Sequence, residues 1–197
     1  MSRVSVLLCT IACALVLSTA CSEPPQKEID RAQQAIDEAR RAGAEQYASE
    51  TFAAATAALQ QSHEAVDQRD YRLALSRAVD ASDRAQEATL AAAENKAKAR
   101  KASEAAVNTA NAAVMQLQAR LKAAEEAHVP TRELAPARSA VKSGESALQK
   151  ARAQLAAENY SGATGAVSGL DAQIRSEIRV VEAAITLRTA RRPVRKR

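Results

Sequence analysis

The chain has 197 residues, with five glycines, five prolines, 2% aromatic residues and a formal charge of +5, and by count 49 residues are alanine. Turns and strands of a β-sandwich or barrel need more Gly, Pro, β-branched and aromatic residues than this, and an α/β enzyme would carry more Gly for its loops. Ala, Glu, Gln, Lys, Arg and Leu dominate, and these are the strong helix formers; an all-α, elongated antiparallel bundle or coiled coil is expected.

Segment 1–20 reads as an export signal. Arg3 supplies a positive start, residues 4–17 are an apolar run, and Ser18-Thr19-Ala20 is a small-residue cleavage site. The apolar run is shorter than the roughly 20 residues that span a bilayer. Cys9 and Cys13 lie inside it and leave with the signal, so the exported chain keeps Cys21 alone and forms no internal disulfide. Leu17-Ser18-Thr19-Ala20-Cys21 resembles the lipobox of bacterial lipoproteins, although the Leu sits four residues before the Cys instead of three. The resemblance implies a diacylglycerol on the Cys21 thiol and an acylated new N-terminus. That acyl lipid is the one covalent group expected, and no other cofactor is. Ordinary secretion with a free thiol is the alternative. Ser22 is not the Asp that often holds lipoproteins in the inner membrane, which favours the outer one.

Residues 21–27 form a linker, and helices follow. Gly and Pro punctuate helices, yet neither occurs between Gly43 and Pro130. Polar turns must break that run, and Asp67-Gln68-Arg69-Asp70 is the obvious one, with Glu158-Asn159 as its counterpart. The spacing predicts five helices at about 25–45, 50–67, 71–127, 132–157 and 160–190. Pro136 suggests that the fourth starts a few residues late. Heptad spacing gives the buried faces. Ile29, Ile36 and Gly43 mark one seam, and Phe52, Leu59 and Val66 a second. Leu134, Val141, Leu148 and Leu155 mark a third, and Val107, Val114 and Leu121 a fourth. Ile174, Ile178, Val181 and Ile185 mark a fifth. The third helix would run roughly 85 Å at 1.5 Å per residue. Its stretch 91–106 offers only Ala as apolar residue, so fraying, bending or solvent exposure is expected there.

The two halves, 28–107 and 108–190, repeat. Tyr47, Phe52, Ala55 and Leu59 align with Val129, Leu134, Ala137 and Val141. Asp70-Tyr71-x2-Ala74 aligns with Asn159-Tyr160-x2-Ala163. The first offset is 82 and the second 89, so the second half carries one extra heptad, which keeps the buried face in register.

Ala32-x2-Ala35-x3-Ala39-x2-Ala42-Gly43-Ala44-x2-Tyr47-Ala48, then Phe52-x2-Ala55-x3-Leu59 and Asp70-Tyr71-x2-Ala74-x3-Ala78, resembles the bacterial family called domain of unknown function 4398. It covers residues 28–95 closely and 117–180 loosely. Ser49 stands where the family has Pro, and Thr51-Phe52 where it has Glu-Leu; Pro130 and Glu133-Leu134 restore both in the second half. The resemblance implies an Ala-rich envelope lipoprotein made of helical hairpins, and no activity or catalytic residue.

No catalytic or metal-ligating pattern is evident. His63 and His128 fall on different helices without a Cys partner, and no Walker loop or Gly-x-Ser-x-Gly occurs. His63 reads as a residue flanking a seam and His128 as a helix ending. Gly162, Gly165 and Gly169 suggest close packing of the last helix against an Ala face.

The charge is segregated. Arg188, Arg191, Arg192, Arg195, Lys196 and Arg197 crowd the end of the chain; setting these and Arg3 aside leaves 21 basic against 23 acidic residues. Residues 191–197 therefore form a basic tail on a nearly neutral body. Export and the lack of aromatics argue against nucleic acid. Anionic lipid, a cell-wall polymer or an acidic envelope protein each fit the tail, and a merely solubilising role is the alternative. The chain as a whole reads as a non-catalytic lipoprotein: a helical scaffold or adaptor tethered to the bilayer through Cys21. The alternative is a chaperone-like or membrane-surface binding module with an open apolar seam. An open seam would also fit a homo-oligomer.

Overall fold

In the computed structural model the described residues are 23–190, and Cys21, the signal segment 1–20 and the tail 191–197 lie outside them. The described residues are all-α, without strands: α1 (Gln26–Arg41), α2 (Ala44–Tyr47), α3 (Ser49–Asp67), α4 (Tyr71–Glu126), α5 (Thr131–Ala156), α6 (Tyr160–Ala166) and α7 (Leu170–Ala190). Contacts divide the chain into two units, one ending at Asn95 and one starting at Lys96. The long α4 contributes its first part to one and its second part to the other.

The first unit packs α1, α2 and α3 on the start of α4. Its core holds Ile29, Ile36, Phe52 and Leu59 against Ala78, Ala81, Ala85, Ala88 and Ala92, each of these alanines fully buried. The heptad seams of α1 and α3 thus face inward, Ser62 included. Ser62 is buried, and its hydroxyl donates to the Ala74 carbonyl at 2.8 Å, which removes the cost of an unpaired polar group in a core. Asn95 closes this unit, its side-chain amide donating to the Tyr47 carbonyl at 2.7 Å.

In the second unit, the rest of α4 packs with α5, α6 and α7 around Val114, Leu117, Leu121, Leu134, Leu148, Ile174 and Val181. Leu155 and Ile185, the outermost seam residues, are half-buried against this core. Gly144 permits a close approach: a Cβ built there would lie 2.7 Å from Val114 Cγ2.

Three helices end alike. The Arg69, His128 and Glu158 backbones are left-handed, with φ of 60°, 59° and 56°. In each case the next residue donates its N–H back to the carbonyl five before it: Asp70 to Ala65, Val129 to Ala124 and Asn159 to Gln154. This is the Schellman closure that satisfies the last carbonyls of a helix. At two of them a new helix starts at once. The Leu73 N–H donates to Asp70 Oδ1 and the Gly162 N–H to Asn159 Oδ1, both at 3.0 Å, the usual N-cap bond. Ala74 and Ala163, four residues past each cap, are fully buried. The repeated (Asp/Asn)-Tyr-x-x-Ala motif is therefore one stop-and-restart device used twice. The extra heptad is also visible, since α3 has 19 residues and α5 has 26.

The structure differs from the expected elements in three places. Helix 160–190 is two helices, α6 and α7. Val167 and Ser168 donate to the carbonyls three residues before them, and Gly169 turns left-handed at φ 73°, so this Gly-rich run ends one helix instead of packing it against an Ala face. A Cβ on Gly165 would meet nothing within 4 Å. The break leaves Val167 and Leu170 both buried. Helix 25–45 likewise stops at Arg41, where Gly43 is left-handed at φ 86°. Lastly, α5 does not start late: Pro130 precedes it and Pro136 lies inside it. The Arg132 carbonyl loses its helical partner to Pro136, but both residues are exposed, where water can take that bond.

The stretch 91–106 is helical throughout, with most side chains exposed and Ala92 and Ser103 fully buried.

Candidate functional site

Of the cationic residues singled out from the sequence, Arg188 lies within the described residues. It is exposed in the last turn of α7. Cys21, Arg191, Arg192, Arg195, Lys196 and Arg197 lie outside, so α7 is the element that presents what precedes the tail.

Two opposite faces of α7 differ in kind. Ile174, Ile178 and Val181 are buried in the core of the second unit. On the far side, a helical wheel of 3.6 residues per turn places Ala172, Ser176, Val180, Ala183 and Leu187 within an arc of about 80°. All five are exposed; Val180 is 56% and Leu187 61% accessible. Arg175 and Arg179 border this stripe and are exposed as well. The carboxylates of the helix flank the stripe without entering it. Asp171, Glu177 and Glu182 are all half-buried. Glu182 pairs with Arg120 of α4 at 2.9 Å, and Asp171 with Arg175 at 2.9 Å. The edge of the stripe thus carries Arg179 and the Asp171-paired Arg175, while Arg188 is exposed about 120° round the helix from the stripe's centre. Arginine in the last turn also suits the helix dipole.

Shallow grooves border α7. One of about 470 Å³ lies between α4 and α7, with Gln116, Arg175 and Arg179 among its lining residues. Another, of about 270 Å³, joins Pro130, Glu133, Leu187 and Arg188. Away from α7, a groove of about 640 Å³ lies between α5 and α6, bordered by Lys142, Lys150 and Gly165.

The shifted ionisations sit at helix junctions. Lys96 donates to Glu158 Oε2 at 2.7 Å. That hydrogen bond, helped by the charges of Lys96 and Arg100, holds the Glu158 carboxyl below its ordinary range. Arg100 is raised, chiefly by its hydrogen bond to Glu104. In the first unit Arg40 links three helices. It bonds Glu45 at 3.0 Å and Asp37 at 2.8 Å, and its guanidinium lies 5.6 Å from the Phe52 ring centre. The Glu45 hydrogen bond is the main cause of its raised pKa. Lys96 and Arg40 thus join elements, while the Arg100–Glu104 pair lies within α4.

His63 and His128 are both exposed, and His128 is the left-handed closing residue of α4, as its place before Pro130 suggested. Among the described residues no group of three or more His, Cys, Asp and Glu could hold a metal ion, and no helix is long and apolar enough to cross a membrane. No family model, no curated protein and no solved structure matches the chain.

The outer stripe of α7 is not among the seams that the sequence pattern brings out. Its signal was present: uncharged residues at 172, 176, 180, 183 and 187 already have helical spacing. The inner seam, Ile174 to Ile185, carries the larger side chains and masks it.

Proposed function

We propose that the protein is a non-catalytic lipoprotein of the bacterial cell envelope, a helical scaffold or adaptor held on a membrane through Cys21. The export-signal-like segment 1–20 supports the periplasmic side, and Ser22 favours the outer membrane. The observation that carries the scaffold reading is that the strong seams find partners inside the chain. Leu134, Val141, Leu148, Ile174, Ile178 and Val181 are all buried together. A chaperone-like binder would keep such a seam open for its client. The lipobox-like Leu17–Cys21 segment and the resemblance to Ala-rich envelope lipoproteins support the address. Several acyl chains anchor stably, since each buried methylene adds about 0.8 kcal/mol. Fractionation of cells tests the tether. The wild-type chain should sediment with membranes, and the Cys21→Ser chain should lose acylation. Equal acylation of the two would rule out the tether.

A further inference from the structure

We propose that Met115 is an oxidation site, at which a small peroxide adds one oxygen to the thioether sulfur and Asn111 selects the side of the sulfur that receives it. The proposal rests on contacts within the second unit and does not depend on the tether at Cys21.

Three polar pairs tie α4 to α5 along one edge. Arg152 donates to Asn111 Oδ1 at 3.0 Å, Gln118 donates to Glu145 at 2.7 Å, and Arg138 donates to Glu125 at 2.6 Å. On both helices these positions are seven residues apart, which keeps them on one face. Met115 comes between the first two pairs along α4. It is 60% accessible and takes no place in the core. Met1 is the other methionine of the sequence.

Arg152 settles how the Asn111 amide is turned. A guanidinium only donates, so the atom it meets is the amide oxygen, and the amide nitrogen is left for Met115. That nitrogen donates to Met115 Sδ at 3.5 Å. A thioether sulfur is a weak acceptor with a pair of electron lone pairs. The one engaged by Asn111 is the poorer nucleophile, and the other is open to water. The open lone pair attacks a peroxide oxygen: an S–O bond forms, the O–O bond breaks, and the departing oxygen is protonated and leaves as water. Sulfur is oxidised to the sulfoxide and the peroxide is reduced. Two features of the product follow. The sulfur becomes chiral, and its unequal sides make one epimer the main product. The new oxygen points into solvent, so the core keeps its contacts. Oxidation of a buried methionine disrupts packing; at Met115 the bundle takes up oxidant without loosening.

The test is exposure of the full chain to hydrogen peroxide at neutral pH, followed by trypsin and mass spectrometry. Peptide 102–120 contains Met115 and no cysteine, so its gain of oxygen reports this site alone. Reductases specific for each sulfoxide epimer give the epimer ratio. In the folded chain Met115 should oxidise within about threefold of its rate in the chain unfolded by urea. One epimer should exceed the other by about threefold. Asn111→Asp keeps the acceptor for Arg152 but cannot donate; it should bring the ratio close to even, with the helical circular dichroism unchanged. Peroxide should change the melting temperature of the parent no more than that of Met115→Leu, which lacks the sulfur. An even mixture from the parent would overturn the proposal, as would an excess that survives in Asn111→Asp. So would a folded chain that oxidises more slowly than that limit, or a parent that peroxide destabilises more than Met115→Leu.

Discussion

Arg69, His128 and Glu158 each hold a backbone conformation that glycine adopts more easily. A side chain in the left-handed region costs roughly 1–2 kcal/mol, and the larger entropy of an unfolded glycine returns part of it. His128→Gly should therefore raise stability by up to about 1 kcal/mol, read as a higher denaturant midpoint with an unchanged slope. A lower midpoint would mean that the imidazole contributes something the closure geometry does not reveal. At Glu158 the same position bears a charge. Its folded carboxyl titrates below the unfolded one because Lys96 donates to it. The contribution of the pair is therefore fully present above the ordinary carboxylate range and is lost as the pH falls through the folded value. Glu158 is exposed and the Lys96 side chain is 40% accessible, so the effect is small and weakens with salt. Melting temperatures across the acid range should fall less steeply in Glu158→Gln than in the parent. Identical profiles would show that the bond does not persist in solution.

The seams of α4 change character along its length. In the first unit a line of buried alanines, Ala74, Ala78, Ala81, Ala85, Ala88 and Ala92, runs in alternating steps of four and three, with Ser82 buried beside it. In the second unit its buried positions include Ser103, Val107, Ala110, Val114, Leu117 and Leu121. The all-Ala start suits close packing. The corresponding elements of the second unit, α6 and α7, present Ala163, Val167, Leu170, Ile174, Ile178 and Val181 instead. Close approach there falls to Gly144 on α5. Gly144→Ala drives a methyl to within 2.7 Å of Val114, a stiff β-branched side chain that is itself buried. Overpacking of this kind costs about 1–3 kcal/mol, so the midpoint of chemical unfolding should fall; an unchanged midpoint would mean the two helices separate freely.

These elements also mark what the sequence could and could not reveal. Heptads at 134, 141 and 148 and at 174, 178 and 181 named the core of the second unit, because large aliphatic residues recurring at helical spacing among polar ones line up on a single face, and that face gains most from burial. Ala74 to Ala92 did not stand out, because alanine is so common that an inward Ala looks like an outward one. The break at residues 167–169 was hidden by a strong apolar period that runs straight through it, with Val167 and Leu170 on the buried side of the turn. The Gly-rich composition there was the available sign, and it signalled a turn more than a packing surface.

For the whole molecule, the net charge of +5 divides between a nearly neutral body and a basic end. The two units each carry a closed core, and the features that suggest partners lie outside those cores. One is Cys21, next to the proposed export signal. The other is the basic tail 191–197. A bulk pI near 9.3 would suggest nucleic acid, but the placement of the charge suggests an envelope surface. The proposed tether is the claim on which the rest of the proposed biology depends. Metabolic labelling with a palmitate analogue, comparing wild type with Cys21→Ser, tests it most directly. A lipid tether at Cys21 predicts a labelled wild-type band and no label on the variant. An unlabelled wild type, or a variant labelled as strongly, would contradict it.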